Sequence, residues 1–334
     1  MKLTNCFDHF MRNTVNMDEG RLRSLKTSVD AIYSTLANDD ELGELVEGMD
    51  PQGSWAQETI IKPVDGREFD ADFMLVMTHQ PGWKPSAYLT AVYEALRRSP
   101  TYKDKVQKKH RCVRVVYAAD YHVDIVPFVV LPDGSEVIAH HEMTEDGEID
   151  EWEDTDPTAF TAWMQRQDGV ANGNLRRTIR LMKYLRDHHM NFKLTRSVIL
   201  TVVLGERVSA RRKLDEPDCY SDLPTAFVHI LEDLDDWMDS RPNLPPLPDP
   251  SGANNDFSHR WSQESYENLA AKVKTIAADA RAAIDPDLSV EHSLKAWQKV
   301  FGSDFKRPPD VGPKPGAGAA SPLVIPSRQS GRDG

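Results

Sequence analysis

Residues Phe69–Met77 read F-D-A-D-F-M-L-V-M, an alternation of apolar and acidic residues that runs into an unbroken apolar stretch. Period-two alternation belongs to a strand, and a continuous apolar run to a strand covered on both faces. The segment is therefore predicted to be a strand with one end at a site and the rest buried. Residues two apart in a strand project from one face, so Asp70 and Asp72 are expected side by side. Two like charges at the head of such a strand repel, and burying them is costly unless something neutralises them. Whatever surrounds this strand has to supply that neutralisation.

A third carboxylate has the same problem. Asp124 interrupts the apolar run Val123-Asp124-Ile125-Val126, and a carboxylate in so apolar a strand needs a partner. If that strand lies beside Phe69–Met77, three carboxylates meet. Divalent cations would remove their repulsion, and three carboxylates with two Mg²⁺ form the arrangement used for in-line nucleotidyl displacement. Mg²⁺ prefers few carboxylates together with substrate phosphates, which fits this number of ligands.

The surrounding pattern is α+β. Apolar residues Leu22, Leu25, Val29, Ile32 and Leu36 recur at helical spacing over 21–36. A second helix is predicted over 86–98, capped by Ser86 and stopped by Pro100. Strands are predicted at 112–117 and 123–131, joined antiparallel through a turn at 118–121 and ended by Pro132-Asp133-Gly134. From Pro157 onward helical periodicity dominates, at 174–189, 223–238, 263–284 and 290–301, with 195–203 also read as helix and 242–250 as a Pro-rich loop. Strands early and helices late exclude alternating βαβ units. The expected division is 1–155 for an N-terminal helix and catalytic core, and 156–307 for a helical lobe. Residues 308–334, rich in Pro, Gly, Ala and Ser, form an expected disordered tail.

Composition narrows the function. The 334 residues carry a net charge of −13, so a nucleic-acid coat protein is not expected. The basic stretch 103–114 could hold a triphosphate but reads better as a solvated surface. Cys6, Cys112 and Cys219 are far apart and form no CxxC pair, which points to a reducing cytoplasm rather than a disulfide framework. No apolar run approaches the ~20 residues of a membrane span, and the N-terminus shows no signal-peptide core. His141-Glu142-Met143-Thr144-Glu145 lacks the second histidine of a zincin motif. His140-His141 and His188-His189 are expected on surfaces or loops. P-loop, GxGxxG and GxSxG motifs are missing.

Two further features complete the constellation. Gly53-Ser54 sits in a predicted turn, where glycine lets backbone N–H groups approach phosphate and serine adds a hydroxyl donor. Arg176, Arg177, Arg180 and Lys183 lie on a predicted helix, with 176, 180 and 183 along one face. Each signal alone is weak, since a lone Asp-x-Asp or a basic helix face is common on surfaces. Their order along the chain is what carries weight.

That order, Gly-Ser, then Asp-x-Asp on a strand, then a later strand aspartate, resembles the polymerase-β-type nucleotidyltransferases. Within them the chain is similar to the CD-NTases, bacterial relatives of cyclic GMP-AMP synthase and oligoadenylate synthase. The similarity is carried by Gly53-Ser54-Trp55-Ala56-Gln57-Glu58-Thr59-Ile60, by Val123-Asp124-Ile125-Val126-Pro127, by the helix from Leu175 through Lys183 to Arg186, by Ser197-Val198-Ile199-Leu200 and by Asn254-Asn255-Asp256-Phe257. The resemblance implies a nucleotidyltransferase core with a mixed sheet and a C-terminal helical lobe. It implies two Mg²⁺, or Mn²⁺ in their place, on Asp70, Asp72 and Asp124, with Asp124 also orienting or deprotonating the attacking ribose hydroxyl. Gly53 and Ser54 would hold donor phosphates, Lys183 and Ser197 would contact the triphosphate, and Asn255 would be structural. Leu185 departs from the tryptophan the family often has there.

The implied activity is synthesis of a cyclic di- or trinucleotide from ATP, GTP or both, as a second messenger in anti-phage (CBASS) signalling. The C-terminus Arg332-Asp333-Gly334 resembles tails that a ubiquitin-transfer-like partner conjugates. The competing readings are a transferase that modifies a protein, tRNA or small molecule, and a non-catalytic nucleotide-binding scaffold. The helical lobe disfavours the first, and the full set of carboxylates the second.

Overall fold

The structure, a computed structural model, describes residues 1–64, 68–117, 121–189 and 192–309. The chain begins with α1 (Thr4–Phe10) and α2 (Glu19–Ala37), the latter capped by Asp18, whose carboxylate accepts from Arg21 N–H at 2.9 Å. Then come β1 (Val46–Gln52), a single helical turn α3 (Gly53–Ala56), β2 (Phe69–Met77) and α4 (Pro85–Arg98). Five more strands follow: β3 (Val106–Lys108), β4 (Val113–Tyr117), β5 (Tyr121–Val130), β6 (Glu136–Thr144) and β7 (Gly147–Asp154).

Among the described residues the strands make one seven-stranded mixed sheet in the order β1-β2-β5-β4-β3, with β6 bridging the far end of β5 to β7. Only β2 and β5 run parallel. They are the two most buried strands and occupy the interior of the sheet, covered on both faces. Alternation then sorts their side chains. Ala71, Phe73, Leu75, Val123 and Ile125 pack with Leu25, Val29 and Ile32 of α2 and Tyr88 and Val92 of α4. Residues of the opposite parity, Asp70, Asp72 and Asp124 among them, face away from these helices.

The second half is helical: α5 (Pro157–Val170), α6 (Asn174–His189), α7 (Ser197–Gly205), α8 (Ala210–Asp215), α9 (Leu223–Asp239), α10 (Gln263–Ala283) and α11 (Val290–Phe301). Asp156, Ser209, Asp222, Ser262 and Ser289 each cap the helix that follows. These helices build a second apolar cluster. The N-terminal segment joins it rather than the sheet: Phe7 meets Trp297 edge-on at 4.8 Å and Phe10 meets Tyr184 at 5.0 Å. A cut at residue 155 thus leaves α1 packed with the helical lobe, where two large aromatics complete its core.

Other differences have local causes. Ser86 does not cap α4, which starts at Pro85 with Lys84 in the cap position. Instead the Ser86 N–H and hydroxyl both donate to Asp150 on β7, at 2.8 and 2.7 Å. A carboxylate from a distant strand satisfies the helix end. The expected turn at 118–121 overlaps residues outside the described set, and Tyr121 already belongs to β5. β1, β6 and β7 have no clear strand signature: β1 holds Gly48, Asp50 and Pro51, and β7 is mostly acidic. Both lie at sheet edges, where such residues are tolerated. His140 is not a surface histidine; it is buried in β6, its Nδ1 3.1 Å from Glu153. The tail beyond residue 309 lies outside the described residues.

Candidate active site

Strand register puts the three aspartates on two adjacent strands. Asp72 pairs directly with Asp124 across the parallel β2–β5 ladder, and Asp70 pairs with His122 one step outward. Asp124 is buried, Asp72 half-buried and Asp70 exposed. Burial first, then the charges of Asp124 and Asp70, push the Asp72 carboxyl up to about 7, while Arg114 and Lys183 pull it down. Asp124 is held by Arg114 of β4, whose Nε and Nη2 donate to its two oxygens at 2.7 Å each. Nη2 of the same guanidinium lies 3.2 Å from Asp70 Oδ1. Asp70 also faces His122 Nδ1 at 3.2 Å, and His122 Nε2 lies 2.8 Å from Glu68. Arg114 is a site residue that sequence reasoning placed in a solvated basic stretch. The missed signal was its strand parity relative to Asp124.

The Gly-Ser turn abuts this pair. Gln52 at the end of β1 is the register partner of Asp72, so Gly53 begins α3 beside the carboxylate. Gly53 has φ +58°, and a β-carbon there would sit 2.6 Å from Asp72 Oδ2. Only glycine permits both the backbone conformation and the approach. Gly53 and Ser54 line a cavity of about 730 Å³ that also takes in Asp70 and Asp72.

The opposite wall comes from the helical half. Lys183 of α6 is buried, and its ammonium donates to the Thr59 carbonyl at 2.9 Å and to Thr59 Oγ1 at 3.2 Å. Burial, then the Arg186 charge, lowers its pKa to about 7, against the pull of Asp187 and Asp72. Ser197, at the start of α7, lines the cavity and accepts from Arg186 Nη1 at 3.1 Å. Asn255 lines it as well. Leu185 is buried in the helical cluster, a packing position.

The rest of the basic helix does other work. Arg176 donates to Asp168 and to the Gln57 carbonyl, Arg177 to Asp8 and Arg180 to Asn16. They fasten α6 to α5, to the Gly-Ser segment and to the N-terminal residues. Among the described residues, the remaining cations around the cavity are Arg111, Arg186, Arg196 and Arg260. Arg111 is paired with Glu153, and Arg260 is lowered by burial and then by the charge of Arg111. Arg186 lies on α6 one turn beyond Lys183, whereas Arg111, Arg196 and Arg260 lie between or at the ends of elements, where no periodicity marks them.

The donor set suits hard divalent cations: three carboxylates from adjacent strands, with no thiolate or imidazole among them. Their side chains are not gathered around a common point, nor, among the described residues, is any other group of three His, Cys, Asp or Glu.

A sequence model for the Second Messenger Oligonucleotide or Dinucleotide Synthetase domain, SMODS, matches residues 1–168. The chain belongs to the SMODS family. It is accordingly a nucleotidyltransferase. The SMODS match spans α1, the whole sheet and most of α5, and so includes Gly53, Asp70, Asp72 and Asp124. A c-di-GMP synthase of Roseivirga ehrenbergii is 24% identical over 330 residues, covering 88% of this chain and 83% of that protein. A cyclic AMP-AMP-AMP synthase of an Acinetobacter species is 25% identical over 263 residues, covering 76% and 71%. The crystal structure of Vibrio cholerae DncV cyclic AMP-GMP synthase with nonhydrolyzable GTP superposes with a TM-score of 0.71 at 15% identity, over 91% of this chain and 96% of that one. The fold is the polymerase-β-type nucleotidyltransferase core with a helical lobe.

Proposed function

We propose that this SMODS chain joins nucleoside triphosphates into a cyclic di- or trinucleotide second messenger and releases pyrophosphate. The observation that carries this reading is the register pairing of Asp72 with Asp124, with Gly53 pressed against Asp72 and Lys183 across the same cavity. The two curated relatives are both named for cyclic oligonucleotide synthesis, with different products.

In each round, a ribose hydroxyl oxygen of one nucleotide bonds to the α-phosphorus of another. The bond from that phosphorus to the bridging oxygen of pyrophosphate breaks, and the hydroxyl proton is lost. Mg²⁺, or Mn²⁺ in its place, held by Asp70, Asp72 and Asp124, would acidify the hydroxyl and offset charge on the leaving group. Asp124 is the residue for orienting the hydroxyl or taking its proton. Gly53 offers backbone close to the carboxylates, and Ser54 a hydroxyl for phosphate. Lys183 and Ser197 face the triphosphate from the helical wall. A triphosphate beside the buried Lys183 would favour its charged form, and the low surrounding polarity would strengthen their attraction. A second round on the linear product closes the ring.

We assign the product to anti-phage signalling in the cytoplasm. The family resemblance supports the first, and the three unlinked cysteines the second. Conjugation at Arg332-Asp333-Gly334 is a separate proposal, rejected if removing these residues leaves partner-dependent conjugates unchanged on a gel. For the synthase itself, the chain is incubated with Mg²⁺ and mixed labelled nucleoside triphosphates, and the products are treated with phosphatase and weighed by mass spectrometry. A phosphatase-resistant small cyclic product is expected. Label on macromolecules, or no turnover, rejects the proposal.

A further inference from the structure

Arg114 has no part in the chemistry above, yet it makes close charge-assisted contacts with the candidate metal ligands. It lies opposite Asp124 in the β4–β5 ladder. Its Nε and Nη2 engage the two oxygens of Asp124 at 2.7 Å each, and Nη2 extends to Asp70 at 3.2 Å. One guanidinium therefore spans two of the three carboxylates. A bidentate pair of this kind takes one in-plane lone pair of each carboxylate oxygen and leaves the other. A divalent cation on those remaining lone pairs would sit close to the guanidinium and be repelled by its charge.

The two modes of neutralising Asp124 oppose each other, because both place positive charge on the same carboxylates. We propose that Arg114 is a built-in competitor of the metal ions, which holds Asp124 in position and gives it up as a cation is bound. This rests on the reading of Asp70, Asp72 and Asp124 as metal ligands. It explains why carboxylates paired in register are not gathered into a cage: Asp124 is turned to β4. It also orders binding. A cation alone has to displace the guanidinium and leave it without an anion. A cation that arrives with a triphosphate brings phosphate oxygens that Arg114 can engage instead.

The role is one of positioning, and it has a signature that a structural role lacks. Removing a residue that merely supports the site weakens metal binding, whereas removing a competitor tightens it. The test is Mn²⁺ titration of the whole chain without nucleotide, followed by electron paramagnetic resonance, on the wild type and on Arg114→Met, Arg114→Lys and Asp72→Asn. Arg114→Met is expected to bind Mn²⁺ about tenfold more tightly than wild type, the size expected for one charge-assisted contact. Arg114→Lys, which keeps the charge but loses the fork, should fall between. Equal or weaker binding by Arg114→Met overturns the proposal. Asp72→Asn separates the two ideas. If it leaves Mn²⁺ binding untouched, the metal-site reading fails; if it removes binding while Arg114→Met gives no gain, only the competition fails. Should the methionine variant not fold, the Nε–H resonance of Arg114 in the wild type reads the same exchange. It should shift with the Mg²⁺ saturation curve, and a resonance unmoved at saturation overturns the proposal.

Discussion

A β-carbon placed on Gly53 would lie 2.6 Å from Oδ2 of Asp72, closer than real β-carbons approach any atom. Gly53 and Asp72 are held in this contact because Gln52, the residue before Gly53, is the ladder partner of Asp72. The contact couples the loop that would hold phosphate to the carboxylate that would hold metal.

Gly53→Ala is therefore expected to lose product formation by about a hundredfold or more, since misplacement of a reacting group by an ångström is enough for that. It adds left-handed strain at φ +58°, costing about 1–3 kcal/mol of stability. Product mass spectrometry and thermal unfolding measure the two effects. An alanine variant that keeps full activity rejects the coupling.

Asp72→Asn should abolish product, a loss of about three orders of magnitude or more if several kcal/mol of transition-state stabilisation depend on the metals. Without metal the variant should nonetheless unfold at a higher temperature than wild type, because it removes a carboxyl that burial and two neighbouring aspartates disfavour. A variant that is both less active and less stable would mean that Asp72 supports the fold rather than the chemistry.

The pH dependence has a definite sign. Asp72 rises from 3.8 to about 7 on folding, so its contribution to stability is fully present below 3.8 and is lost as pH rises through about 7. Lys183 falls from 10.5 to about 7, so its contribution is fully present above 10.5 and is lost as pH falls through about 7. Together the two groups place a minimum in their stability contribution near neutrality, when metal is chelated. Urea unfolding across the pH range should show it for wild type, and Asp72→Asn should remove the acid-side slope. A slope shared by both proteins rejects the assignment.

Asp150→Ala serves as a contrast. It leaves the Ser86 N–H and hydroxyl at the start of α4 without their acceptor, at about 1–2 kcal/mol. The carboxylates lie on the sheet face away from α4, so the products made by the folded variant should match those of wild type. A changed product profile would show that α4 controls the site.

What was readable in the sequence had a local cause. Helical spacing marked α2, α4 and α6, and the Asp-x-Asp alternation put Asp70 and Asp72 on one strand face. The apolar run around Asp124 marked a central strand. Edge strands escaped because their acidic residues, Gly48 and Pro51 are depleted in strands generally, and only pairing with β2 or β6 makes them strands. Ser86 looked like a cap because the acceptor that replaces it, Asp150, is 64 residues away. Arg176 and Arg180 share a helix face with Lys183 in the sequence, but other partners claimed them: Asp168 and the Gln57 carbonyl for Arg176, Asn16 for Arg180.

The sequence by itself determined which side chains share a face, since that follows from the backbone repeat of a single strand or helix. Tertiary structure alone decided which faces meet. The parallel pairing of β2 with β5 set Asp72 beside Asp124, and β4 delivered Arg114 to it. Packing of α6 against the Gly-Ser segment sent Lys183 and Arg186, and not Arg176, Arg177 or Arg180, to the cavity. Ladder register and helix docking are set by side chains from many segments at once, so no stretch of chain read alone contains them.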